Sequence, residues 1–216
     1  MTKGFFLIFE GGEGTGKSTV AKWLKTKLEE QGYKVYLTRE PGGNGSPVAE
    51  KIRNIILDKE NNVLPLTEAY LFAASRAQHV QEVIKPHLDK GEFVICDRFV
   101  YSSYAYQGGG RELGEEKIKM INSFAIQNCQ PDLVLLFDLD PQIGLQRKRQ
   151  GRQDFDRLDN ETLEFHTRVR KTYLKLAQEN PQLFRVIDVN QPIETVQNDT
   201  WKELINKIKE VNYGKN

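Results

Sequence analysis

A short apolar run that breaks into glycines and ends in Gly-Lys-Ser-Thr, FFLIFEGGEGTGKST over Phe5 to Thr19, leaves this chain few folds to choose from. Gly11, Gly16, Lys17 and Ser18 satisfy the phosphate-loop spacing G-x-x-x-x-G-K-[ST]. Phe5 to Phe9 is too short for a helix and rich in aromatics, so it reads as a buried strand, and Lys17 opens a helix. Strand, loop and helix is the context the motif requires. The glycines let the backbone turn where a Cβ would clash and bring successive N–H groups around a polyphosphate. The helix N-terminus adds its partial positive charge. Lys17 can then bridge the β- and γ-phosphates, and the Ser18 hydroxyl can complete a Mg2+ shell. The competing reading is a glycine-rich turn that binds nothing. At ordinary residue frequencies a chain of this length matches the pattern by chance roughly once in a hundred, and the flanking strand and helix lower that further.

The 216 residues suffice for a proper core and suggest one domain over 1–216, with no repeat, low-complexity tract or interdomain linker. A net charge of +1, from 31 basic and 30 acidic residues, supplies no global field toward a nucleic-acid polymer or a membrane, so an anionic ligand must be held by a local cluster. Cys96 and Cys129 are too few for a disulfide framework or a zinc site. No signal peptide and no apolar run of spanning length is evident, which points to the cytoplasm.

Further strands are expected at Val35 to Thr38, Phe93 to Cys96, Leu133 to Phe137 and Phe184 to Asp188, separated by helices. The second strand ends in Arg39-Glu40-Pro41-Gly42-Gly43, charged groups on a turn where open α/β sheets bind ligands. Ser46 then reads as an N-cap before Pro47, and Arg53 on the helix that follows is a candidate inward charge. A long helix is expected from Leu66 to about Lys85, with Phe72, Arg76 and His79 sharing one face. A flat ring beside a guanidinium suits a nucleobase; a core phenylalanine with a surface arginine, and a structural His79, are the plainer alternatives.

Asp97-Arg98 closes the third strand, placing a carboxylate where it can orient water on Mg2+ and an arginine where it can hold a second phosphate. Tyr101 to Gly110, dense in hydroxyls and amide, suits a polar pocket wall or a loop. Glu115 to Gln127 reads as a helix. After the fourth strand Asp138 is a further candidate for the metal network, and Asp140 an N-cap. Arg147 to Arg157 carries four arginines, charge that can close over a transferring phosphoryl group as a short lid at about 147–158. Asp159 or Asn160 is expected to cap the next helix.

Taken together, FEGGEGTGKST, TREPGG, FAASRAQH, DRFVYSSYAYQGGGR, LVLLFDLDP, the arginine-rich lid and DVNQP, in that order, resemble the thymidylate kinase family over nearly the whole chain. The resemblance implies an α/β P-loop kinase whose five-stranded parallel sheet runs in the order 2-3-1-4-5 with helices on both faces. It also implies transfer of phosphate from ATP to dTMP with Mg2+, and a homodimer. ATP would lie on Gly11, Gly12, Glu13, Gly14, Thr15, Gly16, Lys17, Ser18 and Thr19, with Arg147 packed on adenine and Mg2+ held through Ser18 and Asp97. The thymidylate pocket would be drawn from Arg39, Glu40, Pro41, Arg53, Phe72, Arg76, Arg98, Ser103, Tyr106 and Gln107. Phe72 would stack on thymine, Arg76 meet its O4, Ser103 and Gln107 reach N3, and Tyr106 lie against the deoxyribose. Catalysis would rest on Lys17, Arg98, Arg152 and Glu13. Because Gly14 stands where one family type carries arginine, the chain resembles the bacterial type with its catalytic arginine, Arg152, in the lid. Ser75 departs from the aspartate of FAADRAQH, and Asn44 to Pro47 lengthen the link after the TREPGG turn. Two other classes compete: a kinase for another nucleoside monophosphate or a deoxynucleoside, and a GTPase switch or non-catalytic nucleotide module. No N-K-x-D stretch is present to read guanine, and the lid arginines count against a passive binder.

Overall fold

The computed structural model describes residues 4–151, 156–211 and 213. Strands β1 (Phe5–Gly11), β2 (Val35–Arg39), β3 (Phe93–Asp97), β4 (Leu133–Asp138) and β5 (Phe184–Asp188) form one sheet in the order β2-β3-β1-β4-β5, every pair parallel. This is the order the resemblance implied. β1 is central, with Phe9 paired to Asp97 on one side and Leu135 on the other. The C-terminal ends of β1 and β3 therefore open side by side, at the crevice edge where such sheets hold ligands.

Alternation of side chains along β1 explains why helices cover both faces. Phe5, Leu7 and Phe9 join Phe93, Ile95, Leu133, Leu135 and Phe137 in a core closed by α1 (Lys17–Glu30) and α9 (Ile193–Glu210). Phe6 and Ile8 point the other way, into a core shared with Val94, Cys96, Val134 and Leu136 and covered by α8 (Leu163–Glu179). Both sets are essentially inaccessible to water, so truncating Ile8 to alanine would cost roughly 2–5 kcal/mol. The remaining helices are α2 (Pro47–Leu57), α3 (Pro65–His79), α4 (Lys85–Asp89), α5 (Val100–Ser103), α6 (Glu115–Ser123) and α7 (Pro141–Gly151).

Several local expectations change in the folded chain. The long helix after Leu66 continues as helix to Asp89, but Val80–Ile84 widens to a π turn between α3 and α4. Tyr101 to Gly110 is no loop: α5 passes into a seven-residue π-helical stretch, Tyr104–Gly110. Such widenings gather at functional sites because they shift side chains out of helical register. The helix begun at Glu115 stops at Ser123, short of Gln127, and Gln127 and Asn128 both adopt positive φ. The cap of α8 is Thr162, whose side chain accepts from Phe165 N–H at 3.2 Å, and not Asp159 or Asn160. Asp159 is instead drawn to a lysine of α7 by its charge.

Candidate active site

The phosphate loop is shaped by close approach of backbones. Gly14 adopts φ 65°, and a Cβ there would stand 2.0 Å from the carbonyl oxygen of Gly144 in α7. A side chain at 14 is thus excluded both by conformation and by the neighbouring helix. Lys17 is almost wholly buried; its ammonium donates to the carbonyls of Gly11 (3.1 Å) and Gly12 (2.7 Å) and to Thr15 Oγ1 (3.0 Å). Burial, followed by repulsion from Arg98, lowers its pKa to about 8, against the pull of Asp97, Glu13 and Glu10.

Arg98 follows β3 in left-handed backbone, φ 72°, a conformation disfavoured for any residue with a Cβ. Its own N–H bonded to Phe9 O at 2.8 Å, and its guanidinium bonded to Gly11 O at 2.9 Å and Glu13 Oε1 at 2.8 Å, hold it there. Glu13 also accepts from Tyr106 OH (2.8 Å) and Lys148 Nζ (2.9 Å). Burial alone would raise the Glu13 carboxyl, but Arg98, Lys148 and Lys17 together hold it well below the ordinary carboxylate range. Lys148 in turn bonds Asp159, which accepts from the backbone N–H of Asp156 at 2.9 Å, so residues 156–159 are tethered to the phosphate loop through charge. At the mouth of the loop Ser18 Oγ donates to Asp97 Oδ2. These are hard oxygen donors of the type Mg2+ takes together with phosphate and water. Among the described residues no group of three or more His, Cys, Asp or Glu is placed to hold a metal alone.

On the other side of Arg98 the Arg39-Glu40-Pro41 turn, with a cis Glu40–Pro41 bond, leads into α2. Arg53 Nη1 donates to Pro41 O at 2.8 Å, so the inward charge read from α2 braces the turn. Glu40 is buried and pairs with Arg76 Nε (2.8 Å) and His79 Nδ1 (3.0 Å). Arg76 is itself 1% exposed; it also meets Asn122 Oδ1, Ser103 Oγ (3.0 Å) and Phe99 O (3.0 Å). Arg76 and Ser103 thus sit behind the wall of the site, while Phe72, Tyr106 and Gln107 belong to the wall. Ser75, at the position of the family's aspartate, accepts from Gly42 N at 3.0 Å and so fixes the glycines after the turn.

One cavity of about 510 Å³ joins these parts, lined by residues 13 to 19 of the phosphate loop, Arg39 to Pro41, Arg53, Phe72, Asp97, Arg98, Tyr106, Gln107, Arg147 and Lys148, among others. It has the volume of a small-molecule site. Arg147 reaches the Asp188 to Pro192 turn, donating to Val189 O (3.1 Å) and Asn190 Oδ1 (3.4 Å). Arg152 lies outside the described residues. Asp138, the further candidate for the metal network, accepts with its two oxygens from Arg170 Nε (2.7 Å) and Nη2 (2.9 Å) on α8.

Sequence reasoning passed over Glu10, Glu68 and Lys148. Glu10 is a fully buried acid in an apolar strand, accepting from Phe99 N (2.9 Å), Ser102 N (3.1 Å), Ser102 Oγ (2.6 Å) and Tyr173 OH (2.8 Å). Burial pushes its pKa up despite those bonds. An acid inside FFLIFEG was a visible signal, as was Glu68, four residues before Phe72 on the same helical face. Lys148 was hidden in a run of like charge.

The family model described as thymidylate kinase matches residues 9–200. A thymidylate kinase of Enterococcus faecalis is 47% identical over 211 residues, covering 96% of this chain and 99% of that protein. One from Geobacillus thermodenitrificans is 47% identical over 207 residues, 95% and 91% of the two chains. The crystal structure of thymidylate kinase from Ehrlichia chaffeensis superposes with a TM-score of 0.75 at 32% identity, covering 94% of this chain and 98% of that one.

Proposed function

The chain belongs to the thymidylate kinase family, enzymes that move a phosphoryl group from ATP to dTMP to give ADP and dTDP, and from that premise we propose which residues carry the transfer here. The observation that carries the reading is the single cavity in which the phosphate loop and the Arg39-Glu40-Pro41 turn face one another across Arg98. ATP enters over the loop, its adenine against Arg147 and the Asp188 to Pro192 turn. Its phosphates draw the Lys17 ammonium away from the carbonyls of Gly11 and Gly12, and backbone N–H groups from Gly11 to Thr19 surround them. Arg98 holds the dTMP phosphate, with Glu13 setting the guanidinium in place. Phosphoryl transfer needs no covalent intermediate on the protein, so positioning and charge carry it. Lys17 and the lid arginine Arg152 stabilise the charge on the moving group.

Mg2+ would be held by Ser18 and, through water, by Asp97, and supplies charge neutralisation on the donor phosphates. On the acceptor side Phe72 stacks on thymine and Gln107 meets N3. Arg76 and Ser103, lying behind the wall, shape the O4 and N3 edge, and Tyr106 closes the sugar side. Residues 1–216 act as one domain with a lid at about 147–158. A cytoplasmic homodimer is the expected state. Exposed Leu66 and Tyr70 on α3, Met120 on α6 and Phe124 just after it support the pairing, which light scattering would check. The described residues contain no helix long and apolar enough to cross a membrane. Release of ADP across dTMP, dUMP, UMP, CMP and AMP tests the assignment: preference for dTMP upholds it, and equal use of UMP or CMP overturns it.

A further inference from the structure

We infer that Glu68 is a positioning residue for base selection: it fixes the amide of Gln107 so that the carbonyl Oε1 is the atom left for the base edge. Glu68 is fully buried in α3 and held by Arg111 Nη2 (3.0 Å) and Nε (3.2 Å) and by Arg157 Nη2 (2.6 Å). Arg157 is itself anchored by Nε to Ile56 O at 3.0 Å, so the carboxylate has little freedom to turn away. It also accepts from Gln107 Nε2 at 2.9 Å. An ionised carboxylate only accepts, whereas the two ends of an amide differ, one donating and one accepting. Reversing the Gln107 amide would press its oxygen against a carboxylate oxygen. Glu68 therefore selects one of two otherwise similar rotamers.

The consequence is visible at the other end of the amide. Gln107 belongs to the cavity wall, and its Oε1 is buried with no hydrogen-bond partner among the described residues. A buried acceptor left unpaired is costly and is expected to be met by a ligand donor. Such an acceptor suits a pyrimidine that carries hydrogen at N3, as thymine does, and opposes one that presents a lone pair there, as cytosine does. The inference rests on the reading that Gln107 lines the base pocket. It adds that an acid outside the cavity lining, with no substrate contact, enforces the choice.

The test is the ratio of kcat/KM for dTMP over dCMP in Glu68→Gln, where residue 68 can donate its own amide and Gln107 is free to turn over. The ratio should fall by about tenfold or more, through the acceptor KM, with the ATP KM unchanged. A ratio within about twofold of the unsubstituted enzyme, even with turnover reduced, would show a merely structural role and overturn the inference. Gln107→Ala separates the premise from the inference: an unchanged dTMP KM there removes Gln107 from the base pocket and overturns both. A raised dTMP KM leaves the Glu68→Gln ratio to decide. If Glu68→Gln does not fold, the unsubstituted, ligand-free protein decides by NMR, with the Gln107 side-chain amide assigned by its absence in Gln107→Ala. Slow exchange of that amide with water supports the clamp, and exchange as fast as an exposed glutamine's overturns it.

Discussion

The proposed phosphate side and the proposed base side of the cavity are built on opposite principles. On the phosphate side, the hydrogen-bond partners of Lys17 among the described residues lie within residues 11 to 15, and the loop is shaped by the glycine conformations of one short segment. On the base side, the buried Arg76 of α3 is held by Glu40 after β2, Phe99 and Ser103 around α5, and Asn122 on α6. The first arrangement is local backbone geometry that a motif can encode. The second is a set of buried charges whose partners are chosen by the fold, and each depends on the others because a buried charge without its partner is expensive. Arg98 belongs to both sides, touching Gly11 and Glu13 of the loop from the end of β3.

The sharpest way to break this division is the lid. With Gly14 shut against Gly144, no side chain can reach the transferring group from that position, and the charge proposed to come from Arg152 is what the test removes. Arg152→Ala should lower kcat by about 10³-fold or more with the dTMP KM little changed. A silent Arg152→Ala beside a damaging Arg149→Ala in steady-state assays would place the lid in another register.

Lys17→Ala comes next. Loss of one preorganised charge donor should reduce turnover by at least about 10²-fold, while thermal melting stays cooperative because that side chain belongs to neither apolar core of the sheet. Near-normal turnover would undo the phosphate-side reading.

Acceptor choice probes the base side. A closed sugar wall at Tyr106 should make UMP far poorer than dUMP, since its 2′-hydroxyl would clash or stay unpaired. The thymine methyl is worth about 1–3 kcal/mol, roughly 10–200-fold, placing dTMP ahead of dUMP in kcat/KM. Parity of UMP with dTMP would remove the thymidylate pocket and leave the phosphate side standing.

A gentler test is pH. The useful form of Lys17 is the ammonium, and its pKa, lowered by burial and then by Arg98 to about 8, means that the ammonium is lost as pH rises through that value. For the free enzyme, kcat/KM for ATP should fall above about pH 8. In kcat the limb should move to higher pH, because bound phosphate favours the charged form. The smallest effect is expected at Asp138: with its carboxylate on Arg170 in a partly exposed pair, Asp138→Asn should cost about 1 kcal/mol and leave the Mg2+ titration of activity unmoved.

What could be read from the amino acids follows their range of interaction. The strands were legible because β1, β3 and β4 each open on an apolar run, Phe5 to Phe9, Phe93 to Cys96 and Leu133 to Phe137, as strands buried on both faces do, and the phosphate loop because its glycines and lysine act within a few residues. The cap of α8 was missed because several nearby polar residues could serve, and a charge on another helix settled which did: Lys148 bonds Asp159 and Thr162 caps the helix. The same holds at the site. The sequence by itself determined that a phosphate-binding strand, loop and helix stands at the centre of an α/β sheet, and which residue types surround it. Only the tertiary structure decided that Arg76 lies behind the wall, that Asp138 pairs with Arg170, and that Glu10 and Glu68 are buried hubs. The physical reason is that a charged side chain withdrawn from water takes whichever partner the fold brings within reach, and sequence spacing carries no record of that distance.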